Sequence, residues 1–410
     1  MKALFVATFV SGLFYFLAVR RGLDFYTLAF VAAAIYFTPG LAGFDILSDP
    51  IEPKTYGVFL VVLGGLLAAG VARPPRAPLP LRDPVGYAPQ VAAALAVAAV
   101  LYVLARSGVG MLFVPKREQE FSAGAFVAWR VLASLALVYG VLARRRGVLL
   151  CGGAALLVMF LASDRTAVAM AAAAVGVEIV GRRHGVPPLR AARGFILPMA
   201  LAVVLVWGGK IMHVAIRESV RRNDFSMVSA VARDPRALRL LTVNSEPFLT
   251  QALLNQAVRQ DLYIGPAHLV GAAYQLWPAP SMFGHPSNEF NNLVEKRLIP
   301  RANKNSVAYN FWAEAVVSGG WLLLLLFLAL FLAGLEAANA AARSPHAGWR
   351  GVGLLMSAYW AVYIQRNSLA SILAYEKQVF ALGLLVLGAA ALVPVARRAR
   401  AAVPAPPAPA

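Results

Sequence analysis

Apolar runs separated by short polar breaks fill most of the chain, and the alternation fails once. Apolar stretches fall at about 3–19, 25–44, 57–72, 88–105, 123–142, 147–162, 166–181, 194–209, 316–334, 352–366 and 378–396. Each comes close to or exceeds the ~17 residues that a helix needs to cross hydrocarbon. They predict about eleven membrane-spanning helices. From about 210 to 315 the chain leaves hydrocarbon, a stretch far longer than a connection between neighbouring helices needs. Within it, 212–232 and 237–258 carry apolar residues at three- and four-residue spacing, interrupted at Asp234-Pro235. That spacing predicts helical pieces. Trp277-Pro278-Ala279-Pro280 and Gly284-His285-Pro286 predict irregular turns.

The expected organisation follows from this pattern. An N-terminal bundle occupies 1–209 with about eight spans. A large loop occupies 210–315, the C-terminal spans 316–396, and a disordered Pro/Ala tail 397–410. The fold class is an all-α polytopic membrane protein. Neither an internal repeat nor a coiled-coil pattern is visible. The first apolar run is read as a span and not as a cleaved leader, because its arginines follow the run instead of preceding it.

Composition sharpens the reading. The chain is 60% hydrophobic and only 14% charged, with mean hydropathy +0.67. The net charge of +19 would suggest nucleic acid in a soluble domain. Here most arginines sit in short loops between apolar runs, so they act as topology signals and no nucleic-acid partner is expected. Arg20–Arg21, Arg73/Arg76/Arg82, Arg144–Arg146, Arg182/Arg183/Arg190/Arg193, Arg343/Arg350 and Arg397/Arg398/Arg400 alternate onto one side. The short loops of the other side are poorer in basic residues and richer in acidic ones. The rich side is expected to face the cytoplasm. That places the N-terminus and the long loop outside and the C-terminus inside. Cys151, the single cysteine, excludes an internal disulfide.

Several chemistries have no motif here. GxxxxGK[ST], HExxH, paired CxxC and GxSxG are all missing, so neither a nucleotide-phosphate loop nor a metal site is expected. Chemistry would then fall to Arg, Glu, His and Asn in the outer turns. Ser163-Asp164-Arg165-Thr166 is a tight turn between two spans, and Arg165 would sit at phosphate-headgroup depth, where a guanidinium fork suits phosphate. Arg366, in Tyr363-Ile364-Gln365-Arg366-Asn367-Ser368, would lie at the same depth. Glu314 lies just inside an apolar helix, where an ionised carboxylate needs a partner or a function. His285 and Glu289 are four apart and can share a helix face. Arg130, inside the fifth span, suggests pairing within the bundle or contact with lipid phosphate.

Three segments carry a resemblance. They are Asn305-Ser306 through Trp312-Ala313-Glu314 to Gly319-Gly320, the Ser163-Asp164-Arg165-Thr166 turn, and Arg366-Asn367-Ser368. With one large outer loop in the C-terminal third, the chain resembles the bacterial O-antigen and exopolysaccharide polymerases of the Wzy type. It is similar in layout to their O-antigen ligase relatives. The resemblance implies a bundle of the GT-C type in the bacterial inner membrane. It implies metal-independent, cofactor-free, inverting glycosyl transfer on an undecaprenyl-pyrophosphate-linked glycan. A chain-length regulator, a flippase and membrane lipid are the implied partners. Arg165 and Arg366 would contact pyrophosphate, with Arg217 and Arg301 as further anion contacts. Glu314 or His285 would be the base. Trp277, Tyr309 and Trp312 would stack on sugars, and Asn305 and Glu289 would complete the substrate contacts.

Other readings stay open at this point. A lipid-phosphate-sugar-dependent glycosyltransferase would use Asp45 and Asp49 of the first outer loop and would depend on a metal. A ligase would transfer the finished glycan to lipid A core. A transporter would use charges at mid-bilayer, for which Arg130 and Glu178 are available.

Overall fold

A computed structural model describes residues 1–82, 86–113, 123–162, 164–195, 245–277, 289–294 and 309–401, with Ser219, Asp224 and Ser226. Most of the described residues are helical, with one isolated bridge between Phe44 and Pro50 and no strand among them. The helices are α1 Lys2–Phe14, α2 Phe25–Tyr36, α3 Thr38–Ala42, α4 Pro53–Ala72, α5 Ala88–Ser107, α6 Ala123–Ala143, α7 Arg146–Leu161, α8 Arg165–Gly181 and α9 Pro188–Ala191. Within the excursion lie α10 Glu246–Arg259, α11 Leu269–Tyr274 and α12 Glu289–Leu293, and from its end onward come α13 Phe311–Ala342, α14 Ala347–Val362 and α15 Leu369–Ala401.

Six segments among the described residues are long and apolar enough to cross a membrane. They are Lys2–Val19, Pro53–Ala72, Ala88–Ser107, Gly124–Ala143, Phe311–Ala342 and Leu369–Val393. Two expected spans are shorter helices: Phe25–Tyr36 and Arg146–Leu161. The stretch read as one span over 25–44 breaks at Phe37, and Thr38-Pro39-Gly40 starts a separate short helix that ends at Gly43 in a left-handed cap. The expected spans 166–181 and 352–366 correspond to α8 and α14. Most of the expected span 194–209 lies outside the described residues.

Local chemistry explains where several helices begin. Asp24, Asp164 and Asn310 each accept a backbone N–H in the first turn of the helix they precede. Proline stands in the first turn of α4 and α5, where its missing N–H costs nothing. The helices pack through small residues, as expected where lipid supplies no hydrophobic drive for association. A Cβ on Gly152 of α7 would lie 2.7 Å from the backbone nitrogen of Leu137 in α6. A Cβ on Gly351 of α14 would lie 2.3 Å from the Tyr139 ring. Helix α6 is central, touching α5, α7, α8, α14 and α15. Exposed leucines on α13 and α15, among them Leu322, Leu326, Leu384 and Leu385, form an apolar outer surface.

Helix α13 is not continuous. Gly319 and Gly320 leave helical geometry, and Gly320 has φ +61°, a conformation that L side chains rarely adopt. The break separates a buried eight-residue start, 311–318, from a longer apolar remainder.

Long-range contacts sort the turns into two ends. At one end Arg20 bonds to Gly70 O, Asn339 caps Phe25 N, and Arg350 pairs with Glu178. At the other, α10 and α11 cover the bundle through contacts to the 45–55 loop, the start of α13 and the start of α15. Among the described residues the segments carrying Arg20, Arg73, Arg182, Arg343 and Arg350 share one end, and the described part of the large loop caps the other.

Candidate functional site

The capped end gathers charge that a bundle of apolar helices ordinarily avoids. Asp164 ends the α7–α8 turn. Its Oδ1 accepts Thr166 N at 3.0 Å and so caps α8. Its Oδ2 accepts Arg130 Nε at 2.9 Å and Nη2 at 2.5 Å. Both partners are buried. The Arg130 guanidinium also lies over two rings, 5.3 Å from Tyr375 and 5.6 Å from Phe126. Arg130 is thus paired within the bundle, one of the two uses its position suggested.

Next to this pair stands a tyrosine cluster. Tyr363 and Tyr375 meet edge to face at 5.1 Å, and Tyr359 stacks on Tyr375 at 5.5 Å. Thr166 Oγ1 approaches the Tyr363 hydroxyl at 3.5 Å, which links the α8 start to the α14 end. Arg366 lies over the Tyr363 ring at 5.2 Å and pairs with Glu246 through its Nε. That pair rests on proximity and not on an aligned hydrogen bond, since Arg366 Nε lacks a well-directed acceptor. The Tyr36 hydroxyl reaches Glu246 Oε1 at 3.4 Å. Glu246 also acts on Arg165: burial lowers the Arg165 guanidinium below its ordinary range, and the Glu246 carboxylate opposes that shift. The Glu246 carboxylate thus takes Arg366 and the Tyr36 hydroxyl, and Arg165 lies within its electrostatic reach. Tyr309 joins them, its N–H donating to Arg366 O at 2.9 Å.

Glu246 was not anticipated as a site residue. It opens α10, with Ser245 at the N-cap and Pro247 in the first turn. The Ser-Glu-Pro sequence is a helix-start signal lying inside the piece read as continuous over 237–258.

Other expected residues stand outside this cluster, two of them enclosed beside it. Glu314 is buried and held within the fold: Oε2 accepts the backbone N–H of Leu369 at 2.6 Å, and Oε1 is 3.6 Å from His268 Nε2. Ser318 joins them, 3.3 Å from His268 Nε2. Glu314 thus ties α13 to the α15 start and to the loop helix α11. Trp312 is fully buried, with Nε1 donating to Gln365 Oε1 at 2.8 Å and its ring edge-on to Phe331 at 5.5 Å. It has no open face for stacking. Trp277 is exposed, and its carbonyl accepts Lys377 Nζ at 2.8 Å. Glu289 begins α12, but its side chain lies outside the described residues, as do His285, Arg217, Arg301 and Asn305.

The acids of the first outer loop form a separate latch. Asp45 is buried and accepts Leu47 N at 2.8 Å, Asp49 N at 3.2 Å and Asn255 Nδ2 at 2.9 Å. Asn255 Oδ1 in turn accepts Glu52 N at 2.9 Å and Thr55 Oγ1 at 3.2 Å. Arg259 pairs with Asp49 at 2.8 Å. That contact holds the Asp49 carboxyl below its usual range, opposed by burial and assisted by the Gln256 amide. These acids fasten α10 to the bundle. Among the described residues no three His, Cys, Asp or Glu side chains gather as a metal site would require.

No family model, curated protein or solved structure matches this chain.

Proposed function

We propose that the chain is a membrane glycosyltransferase that polymerises undecaprenyl-pyrophosphate-linked repeat units into O-antigen or exopolysaccharide. On this reading it has about eleven spans in a GT-C-like bundle. The capped end faces away from the cytoplasm of a bacterial inner membrane. The observation that carries the reading is the pairing of Arg366 with Glu246 beneath a helical cap, with Arg165 in electrostatic reach of the same carboxylate.

In the reaction, a hydroxyl of the acceptor repeat unit attacks the anomeric carbon of the donor glycan. A new C–O bond forms, the C–O bond to pyrophosphate breaks, and the hydroxyl proton passes to a base. Charge develops on the leaving pyrophosphate, where fixed guanidinium groups stabilise it most. Arg165 and Arg366 take that role. Glu246 holds Arg366 while the site is empty and yields it to the pyrophosphate. The Arg130–Asp164 pair fixes the turn that carries Arg165, so both act as positioning residues. His285 remains the proposed base. Glu314, enclosed by Leu369 N–H and His268, serves the architecture beside the site. Arg217, Arg301 and Asn305 are proposed substrate contacts of the same loop.

The first-loop glycosyltransferase reading loses ground on one observation. Asp45 is buried and its oxygens are occupied by two backbone N–H groups and Asn255.

The test is a deletion strain complemented with wild type, Arg165→Ala, Arg366→Ala or Glu246→Gln. Surface glycan is sized on gels and carrier-linked intermediates are weighed by mass spectrometry. Single repeat units without long chains in the arginine variants support the polymerase. Long chains stranded on the carrier indicate the ligase instead. An unchanged profile in the deletion strain sinks both.

A further inference from the structure

The arginine-rich end, opposite the proposed catalytic site, carries a cavity that the glycosyl-transfer reading does not use. We propose that it is a binding site for a phosphate group, presented either by an acidic phospholipid headgroup or as a free anion.

The cavity holds about 170 Å³ between the C-terminal ends of α4, α8 and α13 and the N-terminal ends of α2 and α14. At ~30 Å³ per water that is room for roughly six waters, enough for a phosphate with part of its hydration. Its cover is the segment after α4. Arg350 Nη1 donates to Leu79 O at 3.0 Å, and Arg82 N donates to Pro345 O at 3.0 Å. Both bonds strap this segment across the α13–α14 turn.

Charge gives the cavity its ligand class. Arg73, Arg76, Arg343 and Arg350 line it, with Asp24, Glu178 and Glu336. The three acids are already engaged. Asp24 pairs with Arg20 through Oδ2 at 2.5 Å and caps Thr27 through Oδ1 at 3.0 Å. Glu178 is buried, with Arg182 on Oε1 at 2.6 Å and Arg350 on Oε2 at 2.8 Å. Glu336 is shared by Arg73 at 3.4 Å and the Tyr26 hydroxyl at 3.2 Å. Arg20, Arg73, Arg182 and Arg350 thus occupy the three carboxylates, and Arg76 and Arg343 stand in excess. Neither makes an ion pair with a carboxylate among the described residues. Arg343 spends only its Nε, on Asn339 O at 2.9 Å, which leaves its fork open.

A walled cavity with two surplus guanidinium groups at the end of a helical bundle suits a phosphate oxyanion. Arginine offers paired N–H donors in phosphate geometry, and the engaged acids hold the wall arginines in place. Basic pockets between spanning helices on the cytoplasmic side take acidic headgroups. The proposal does not depend on the glycosyl-transfer reading.

The test uses the full chain in phosphatidylcholine bilayers with and without phosphatidylglycerol. Lipid retention is read by native mass spectrometry and stability by thermal midpoint. A parallel arm adds inorganic phosphate to phosphatidylcholine alone. The variant is Arg76→Gln/Arg343→Gln, and an unchanged midpoint in phosphatidylcholine confirms that it folds. Wild type should retain phosphatidylglycerol selectively. The variant should lose affinity by roughly 25-fold, about 5-fold for each arginine removed near the surface. A response to inorganic phosphate without preference for phosphatidylglycerol identifies free phosphate as the occupant. Response to neither, or a folded variant that binds as wild type does, overturns the site. Should the variant misfold, Arg76→Gln alone, a change to an exposed side chain, gives the same reading at about 5-fold.

Discussion

Replacing Asp164 tests whether one carboxylate performs two structural tasks. Its Oδ2 neutralises buried Arg130 and its Oδ1 caps α8. Removing one partner of a buried ion pair strands the other charge, at a cost of about 3–5 kcal/mol. Losing an N-cap adds ~1 kcal/mol. Asp164→Ala should therefore cost about 4–6 kcal/mol. With ~2.1 cal/mol/K of unfolding entropy per residue, a chain of 410 residues shifts its midpoint by about 1 °C per kcal/mol. The expected fall is about 4–6 °C in detergent or bilayer thermal scans. Asp164→Asn keeps an oxygen for the cap and should fall by about 3–5 °C. The decisive variant is Arg130→Met/Asp164→Asn. With no charge left behind, it should recover to within about 2 °C of wild type, because a buried pair is worth little against apolar replacement. A double variant as unstable as the sum of its singles would refute the reasoning, as would an Asp164→Ala that unfolds like wild type.

Glu314→Ala removes the acceptor of Leu369 N–H in a buried site and should destabilise by about 1–3 kcal/mol. Glu314→Gln keeps that acceptor and should keep polymer synthesis in the complementation assay; loss of synthesis in a folded Gln variant would make Glu314 a catalytic group. Asn255→Ala breaks the bonds that join α10 to the first outer loop, so limited proteolysis should cut sooner within 245–277, and an unchanged cleavage pattern would deny the latch. Asp49 gives the latch a pH dependence. Its folded carboxyl titrates below its unfolded value of about 3.9, so its contribution is present above that value and is lost as pH falls through the folded one. Acid should therefore speed cleavage of the same segment, and Asp49→Asn should remove that part of the acid response.

Much of the bundle was legible in the sequence because hydrophobic length and short arginine-bearing loops are local signals. The grouping of turns at two ends needed no distant contact. Arg130 could be seen to require a partner, since a guanidinium inside an apolar helix is costly, but Asp164 stood 34 residues away with no pattern to link them. Glu246 was missed for a related reason. Its partner Arg366 lies 120 residues on, and its helix start was absorbed into a longer apolar periodicity. The Phe37 break had a visible cause in Thr38-Pro39-Gly40, yet hydropathy averaged over a window runs straight through it. Glu314 shows the limit in the other direction. An acid in an apolar helix can signal chemistry or a clamp, and the sequence pattern links Glu314 to neither Leu369 nor His268, its neighbours across the fold.

The break in α13 makes the loop and the membrane segment into one mechanical unit. An unbroken helix of 32 residues would be a rod of about 48 Å, against roughly 30 Å of hydrocarbon. Cut after Gly320, the remainder of 22 residues, 321–342, measures about 33 Å and fits without a steep tilt. The first eight residues are then free to turn inward with Trp312 and Glu314. Val317, just ahead of the break, gives its carbonyl to Ile264 N–H at 2.8 Å, so the cap grips the severed end itself. The cap is thereby fastened to a piece of two turns that the glycine pair separates from the longer apolar remainder, so the two parts of α13 need not share one axis.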